Sequence, residues 1–158
     1  MRKKFSELVY KEMKRNDNIY VITADLGYKM WDKVRDEFPE RFYNVGSSEQ
    51  LMLGVGVGLA LSGKIPILYS ITPFLLYRPA EWIRLYLQHE QIPVKLVGSG
   101  RGKDYEIDGF THWDDEIDMI DMFCNIEQYR PEDITRLDLV DFNKFLYSDK
   151  PAYLNLRR

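Results

Sequence analysis

The chain has 158 residues, 45% of them hydrophobic and 14% aromatic, about the size of one domain and with ample material for a core. Lysine and arginine number 22 against 25 aspartates and glutamates, a net charge of -3; with no long run of one sign, there is no electrostatic argument for binding nucleic acid or membranes. Small molecules and proteins are the expected partners.

The single cysteine, Cys124, cannot close an internal disulfide, and the opening MRKKFSELVYKEMK lacks the apolar core of a signal peptide. The expected location is cytoplasmic. The longest apolar segment, Leu51 to Leu61, is too short to span a bilayer and carries three glycines, which favours a core helix.

In chain order, Phe5, Leu8, Val9 and Met13 recur at helical spacing and predict an amphipathic helix ending near RNDN. IYVITADLG reads as a buried strand, Ile19 to Thr23, that delivers a loop with Asp25 and Gly27. KMWDKVRDEFPERF predicts a helix stopped by Pro39, and FYNV a short strand. GSSEQ is a helix start, with Ser47 or Ser48 as N-cap and Glu or Gln in the first turn. That helix runs to Ser62, where Gly63 supplies the left-handed C-terminal residue.

IPILYSI is the next apolar run, PFLLYRPAEWIRLYLQHE an aromatic-rich helical stretch, and PVKLVGS another strand. After a polar loop, 99–113, come a short Asp-rich helix, a run near CNIEQY, a helix around Leu139 to Tyr147 and a last strand, AYLNL. Strands alternating with helices predict an α/β protein of three layers, α/β/α, with a mostly parallel sheet of about six strands. In such folds ligands collect at the C-terminal ends of strands, which directs attention to ADLG, GSSEQ, SITPF and GSGRGKDYEIDGFTH.

Glu49, in GSSEQ, opens a helix that is apolar on nearly every side. A first-turn acid stabilised by the helix dipole is the plain explanation, worth about 0.3 to 1 kcal/mol. The alternative is an acid drawn into an apolar interior, where burial favours the protonated form and lets it donate a hydrogen bond.

ADLG, FPERFYNVGSSEQLMLGVGVGLALSGKIP, ITPFLLYRPAEWIR, VKLVGSG, DGFTH and PAYLNLRR occur in an order and spacing that resembles the pyrimidine-binding domain of transketolase-like thiamine diphosphate enzymes. The resemblance covers nearly the whole chain, and its specific part is the pair VG..EQ and DG.TH, about sixty residues apart. It implies a thiamine diphosphate-binding fold over residues 1–158. It also implies a chemical role for Glu49. In that family the matching glutamate hydrogen-bonds the N1' nitrogen of the cofactor's aminopyrimidine, favouring the imino form that removes the thiazolium C2 proton.

The resemblance further implies an aromatic wall against the pyrimidine, with Phe74 the first candidate, Tyr77 the next, and Ile71 where relatives often carry another aromatic. Ordinary core positions are the alternative for Phe74 and Tyr77. Asp25 and Leu26 match a loop that approaches the thiazolium in relatives, and are equally readable as a plain strand-to-helix turn. Asp108 and His112 match residues that contact substrate hydroxyls, His112 being available for proton transfer. His89 reads as surface or structural.

The chain departs from the family around DGFTH. Gly100 stands where transketolases usually carry a histidine, Glu106 and Ile107 replace a Gly-Glu pair, and Phe110 replaces a proline. These changes face the substrate, so cofactor binding is better supported than any particular sugar. The acidic residues Asp114, Asp115, Glu116, Asp118 and Asp121 read as a solvated helix start, with no recognised metal-ligand spacing.

Thiamine diphosphate enzymes also need a domain that holds the diphosphate through Mg2+, usually marked by Gly-Asp-Gly, and this sequence has no such segment. The resemblance therefore implies one subunit of a split enzyme: Glu49 and the pyrimidine pocket here, the diphosphate and Mg2+ site on a partner chain, in a homodimer or a heterotetramer. The expected activity is ketol transfer between sugars. The alternatives are a subunit of a two-chain 2-oxo acid decarboxylase and a non-catalytic interaction or regulatory module.

Overall fold

Short runs of β-branched and aromatic residues become strands here because helices cover both of their faces. A computed structural model of the chain describes residues 1–113, 116–131 and 139–158. The elements are α1 (Arg2–Met13), β1 (Ile19–Thr23), α2 (Asp32–Glu37), β2 (Phe42–Asn44), α3 (Glu49–Leu61), β3 (Ile65–Ile71), α4 (Thr72–Tyr77), α5 (Ala80–Trp82), β4 (Lys95–Ser99), α6 (Glu116–Asp121), β5 (Glu127–Tyr129), α7 (Leu139–Tyr147) and β6 (Ala152–Leu156).

The six strands make one sheet in the order β2-β1-β3-β4-β6-β5, and every pairing is parallel. Side-chain alternation divides the core in two. On one face Ile22, Leu68, Leu96 and Tyr153 pack with Met52 and Leu53 of α3, Leu75 of α4, and Met119 and Ile120 of α6. On the other, Val21, Ile67, Val97 and Leu154 pack with Phe5 and Val9 of α1, Val34 of α2, and Phe142 and Phe145 of α7. The arrangement is the three-layer α/β/α fold that the sequence predicts. No helix among the described residues is long and apolar enough to cross a membrane.

Because the strands are parallel, all their C-terminal ends lie on one side. β2 and β3 flank β1, so the chain's direction across the sheet reverses there and leaves a crevice between the loops that follow.

Two predicted features differ. Ser48 occupies the N-cap position of α3 without a capping bond from its hydroxyl; its backbone N–H donates to the Gly46 carbonyl at 2.7 Å, in a tight turn that follows directly on the left-handed Gly46 (φ 71°). The aromatic-rich helical stretch is also divided. Pro79 has no N–H to continue α4, so the helix stops at Tyr77, restarts as α5 and passes into a wider, π-wound segment over Ile83–His89.

Candidate functional site

Glu49 is the first residue of α3 and is 2% exposed. Two groups converge on it from across the crevice. Ser70 Oγ, near the end of β3, donates to Oε1 at 3.0 Å, and Arg78 Nη1, just beyond α4, donates to Oε2 at 2.5 Å. Both carboxyl oxygens are engaged, Oε2 by Arg78, a cation brought in from 29 residues further along the chain.

Arg78 also joins Glu49 to the aromatic wall. Its guanidinium carbon lies 3.8 Å from the centre of the Phe74 ring, and Phe74 meets the His112 ring edge to face, centres 4.9 Å apart. Glu49, Arg78, Phe74 and His112 thus form a continuous chain of contacts at the C-terminal ends of the strands. Beside it opens a cleft of about 340 Å³ lined by Pro73, Phe74, Tyr77, Arg78, Phe110, Thr111 and Trp113, within the usual size range for small-molecule sites.

The remaining predicted residues are placed less tightly. Ile71 is buried at the start of α4 and is not among the residues lining the aromatic cleft. Asp25, in a left-handed conformation with φ 53°, and Leu26 line a separate cleft of about 220 Å³ with Trp31 and Asn44. Asn44 Oδ1 accepts from the backbone N–H of Asp25 at 3.0 Å and of Gly46 at 3.1 Å, so the loops after β1 and β2 are tied together ahead of Glu49. Asp108 is exposed and pairs with Arg158 Nη1 at 3.3 Å. His89 is exposed.

Sequence reading missed two features. Arg78 is one, since no local pattern announces a contact formed between the end of one helix and the start of another. The other is a cationic cleft of about 430 Å³, lined by Arg2, Lys3, Lys29, Arg158, Tyr105 and the loop Leu26–Met30. Its signal was present as basic runs at the two ends of the chain, RKK and RR, which only the fold brings together.

The residues fit an aminopyrimidine: a buried carboxylate able to accept an N–H, an aromatic ring already stacked against a flat cation, and apolar walls beside them. Among the described residues no group of three or more His, Cys, Asp or Glu side chains could hold a metal ion. Asp114 and Asp115 of the acidic cluster lie outside the described residues.

Comparison with known proteins shows the family and the fold. The family described as "Transketolase, pyrimidine binding domain" matches residues 1–131, and the chain belongs to that family. It is 30% identical over 160 residues to the 6-deoxy-6-sulfo-D-fructose transketolase subunit SqwH of Clostridium sp. (strain MSTE9), covering 100% of this chain and 49% of that one. It is 37% identical over 113 residues to a putative transketolase C-terminal section of Methanocaldococcus jannaschii, covering 71% of this chain and 36% of that protein.

Among solved structures, a split-gene transketolase described as an inactive beta4 tetramer superposes with a TM-score of 0.83 at 26% identity, over 99% of this chain and 50% of that one. The chain spans about half the length, or less, of these relatives. Its six-stranded parallel sheet is that of the transketolase pyrimidine domain.

Proposed function

We infer that the chain is the pyrimidine-domain part of a split transketolase-like enzyme that uses thiamine diphosphate to move a ketol unit between sugars. The observation that carries this reading is the buried Glu49 carboxylate, joined through Arg78 to Phe74 and His112 in a protein of the transketolase pyrimidine-binding family. When bound, the cofactor supplies the electron sink for breaking and making a carbon–carbon bond. The chain's own residues bind, orient and handle protons.

Glu49 accepts a proton-bearing pyrimidine nitrogen, and its apolar setting strengthens that bond by excluding water. Phe74 and Tyr77 hold the flat ring by stacking, and Ile71, buried at the start of α4, gives it an apolar neighbour. Asp25 and Leu26 face the thiazolium side. Asp108 and His112 meet substrate hydroxyls, with His112 the group able to exchange a proton. The diphosphate and Mg2+ belong to a partner chain, so the active site is an interface.

The cationic cleft bears on the substrate class. SqwH is named for a sugar that carries a sulfo group, and four basic side chains at one rim of the strand ends suit the anionic end of such a sugar. Outward-facing apolar side chains on α3, with Leu51 and Leu61 53% and 71% exposed, support association with a second copy of this chain.

The test is calorimetric titration of thiamine diphosphate with Mg2+ into the chain alone and then with its partner. Binding that depends on the partner is expected. In the reconstituted complex Glu49→Gln should retain cofactor binding and lose about a hundredfold or more in turnover, since the amide cannot share the same proton; unchanged turnover removes the assigned role.

A further inference from the structure

Arg78 is the residue through which Glu49 meets the aromatic cleft. The glutamate side chain is 1% exposed and Arg78's is 42% exposed; Arg78 lines the cleft and Glu49 does not. The guanidinium makes two contacts at once, the bond to Glu49 Oε2 and the stack on Phe74.

Those two contacts have a particular chemistry. A guanidinium is planar, offers N–H donors to a carboxylate, and lays its face on an aromatic ring. An aminopyrimidine with a protonated ring nitrogen offers the same three things. One carboxylate and one ring face cannot serve two flat cations in the same place.

We propose that Arg78 is an internal stand-in for the aminopyrimidine, a gate that holds Glu49 and Phe74 in place and must withdraw from both when the pyrimidine enters. This rests on the thiamine diphosphate reading given above. The local backbone limits the motion to the side chain: Arg78 sits in the helical region at φ -62° and ψ -45°, fixed between α4 and the rigid ring of Pro79. Its exposed flank gives the withdrawn guanidinium a route to water, where a cation loses little.

The opposite role is a permanent brace, in which Arg78 stays on Glu49 and helps it bind. The two roles predict opposite changes in affinity. Arg78→Met keeps an apolar stem over Phe74 and removes the guanidinium. If Arg78 is a gate, the variant binds thiamine diphosphate with Mg2+ in the partnered complex about tenfold more tightly than the wild type, the size expected for losing a competing charge-assisted bond. In the wild type, the ¹⁵N signal of Arg78 Nε moves toward that of solvent-exposed arginines as the cofactor saturates.

Affinity that is unchanged or weaker in Arg78→Met, together with an Arg78 signal that does not move at saturation, overturns the gate and leaves the cofactor reading standing. Absence of binding in both wild type and variant overturns the reading and the gate together. The Nε signal, read on the wild type, decides the matter if Arg78→Met fails to fold.

Discussion

Asn155, buried in β6, donates its side-chain amide to the Gly100 carbonyl oxygen at 3.0 Å, joining residues 55 apart in the chain. The same amide reaches Thr72 Oγ1 at 3.2 Å and Tyr153 Oη at 2.9 Å, and its oxygen accepts from Arg101 Nε at 2.7 Å. Thr72, at the start of α4, also donates to Gly100 O at 2.7 Å. The polar loop that carries Asp108 and His112 is therefore anchored at its root to the last strand and to the helix that carries Phe74.

Removing Asn155 should cost far more than a typical surface change. Asn155→Ala takes one acceptor from the half-buried Arg101 guanidinium and leaves the buried Gly100 carbonyl short of a donor. A loss of about 2 to 4 kcal/mol in unfolding free energy is expected, read as a lower urea midpoint at unchanged slope. A shift within about 0.5 kcal/mol, the surface range, would mean that the network adds nothing to stability.

Gly54 and Gly56 in α3 are required by packing, whereas Gly58 is not. A Cβ on Gly54 would stand 2.7 Å from Cζ3 of Trp82, and one on Gly56 would stand 2.6 Å from Cδ1 of Leu68. Nothing lies within 4 Å of a Cβ on Gly58. Gly54→Ala and Gly56→Ala should each destabilise by about 1 to 3 kcal/mol through overpacking. Gly58→Ala should be neutral or gain up to about 1 kcal/mol from helix propensity. Chemical unfolding at low protein concentration, below the range of self-association, checks the order; equal effects at all three positions would contradict it. Sedimentation at higher concentration adds a second reading: if a second copy packs on the outward face of α3, as proposed, Gly58→Ala should weaken the assembly, and unchanged sedimentation would argue against that contact.

Much of this architecture is legible in the sequence because it depends on local period. Continuous apolar runs such as Ile65–Ile71 mark strands buried on both faces, and Phe5, Val9 and Met13 mark the buried stripe of α1. Glu49 stands out as a charge at the entrance to an apolar helix. Arg78 does not, since its partner is set by how α4 crosses the end of β3 rather than by spacing along either helix. The cationic cleft is hidden for the same reason: Arg2 and Arg158 sit at opposite ends of the sequence. Ser48 shows the converse limit, a residue of the right type at the N-cap whose hydroxyl makes no capping bond.

Lys95 gives the protein a pH dependence of predictable sign. The side chain is 1% exposed, and its Nζ donates to the carbonyl oxygens of Ser148 at 2.8 Å and Lys150 at 2.6 Å. Burial lowers its pKa from 10.5 to about 8, with Glu127 and Asp149 opposing the shift. Below pH 8 both folded and unfolded chains carry the proton, and burying the charge costs the fold on the order of 3 kcal/mol. Between pH 8 and 10.5 the folded chain releases the proton while the unfolded chain keeps it, so this lysine's contribution rises with pH. Buried Tyr69 acts oppositely: burial raises its pKa above 10.0, so its contribution falls as pH climbs past that value. The comparison with Lys95→Met isolates the lysine. Urea unfolding at intervals from pH 7 to 9.5 should show wild-type stability gaining on the variant above pH 8, and parallel pH profiles would mean that Lys95 keeps its charge inside the fold.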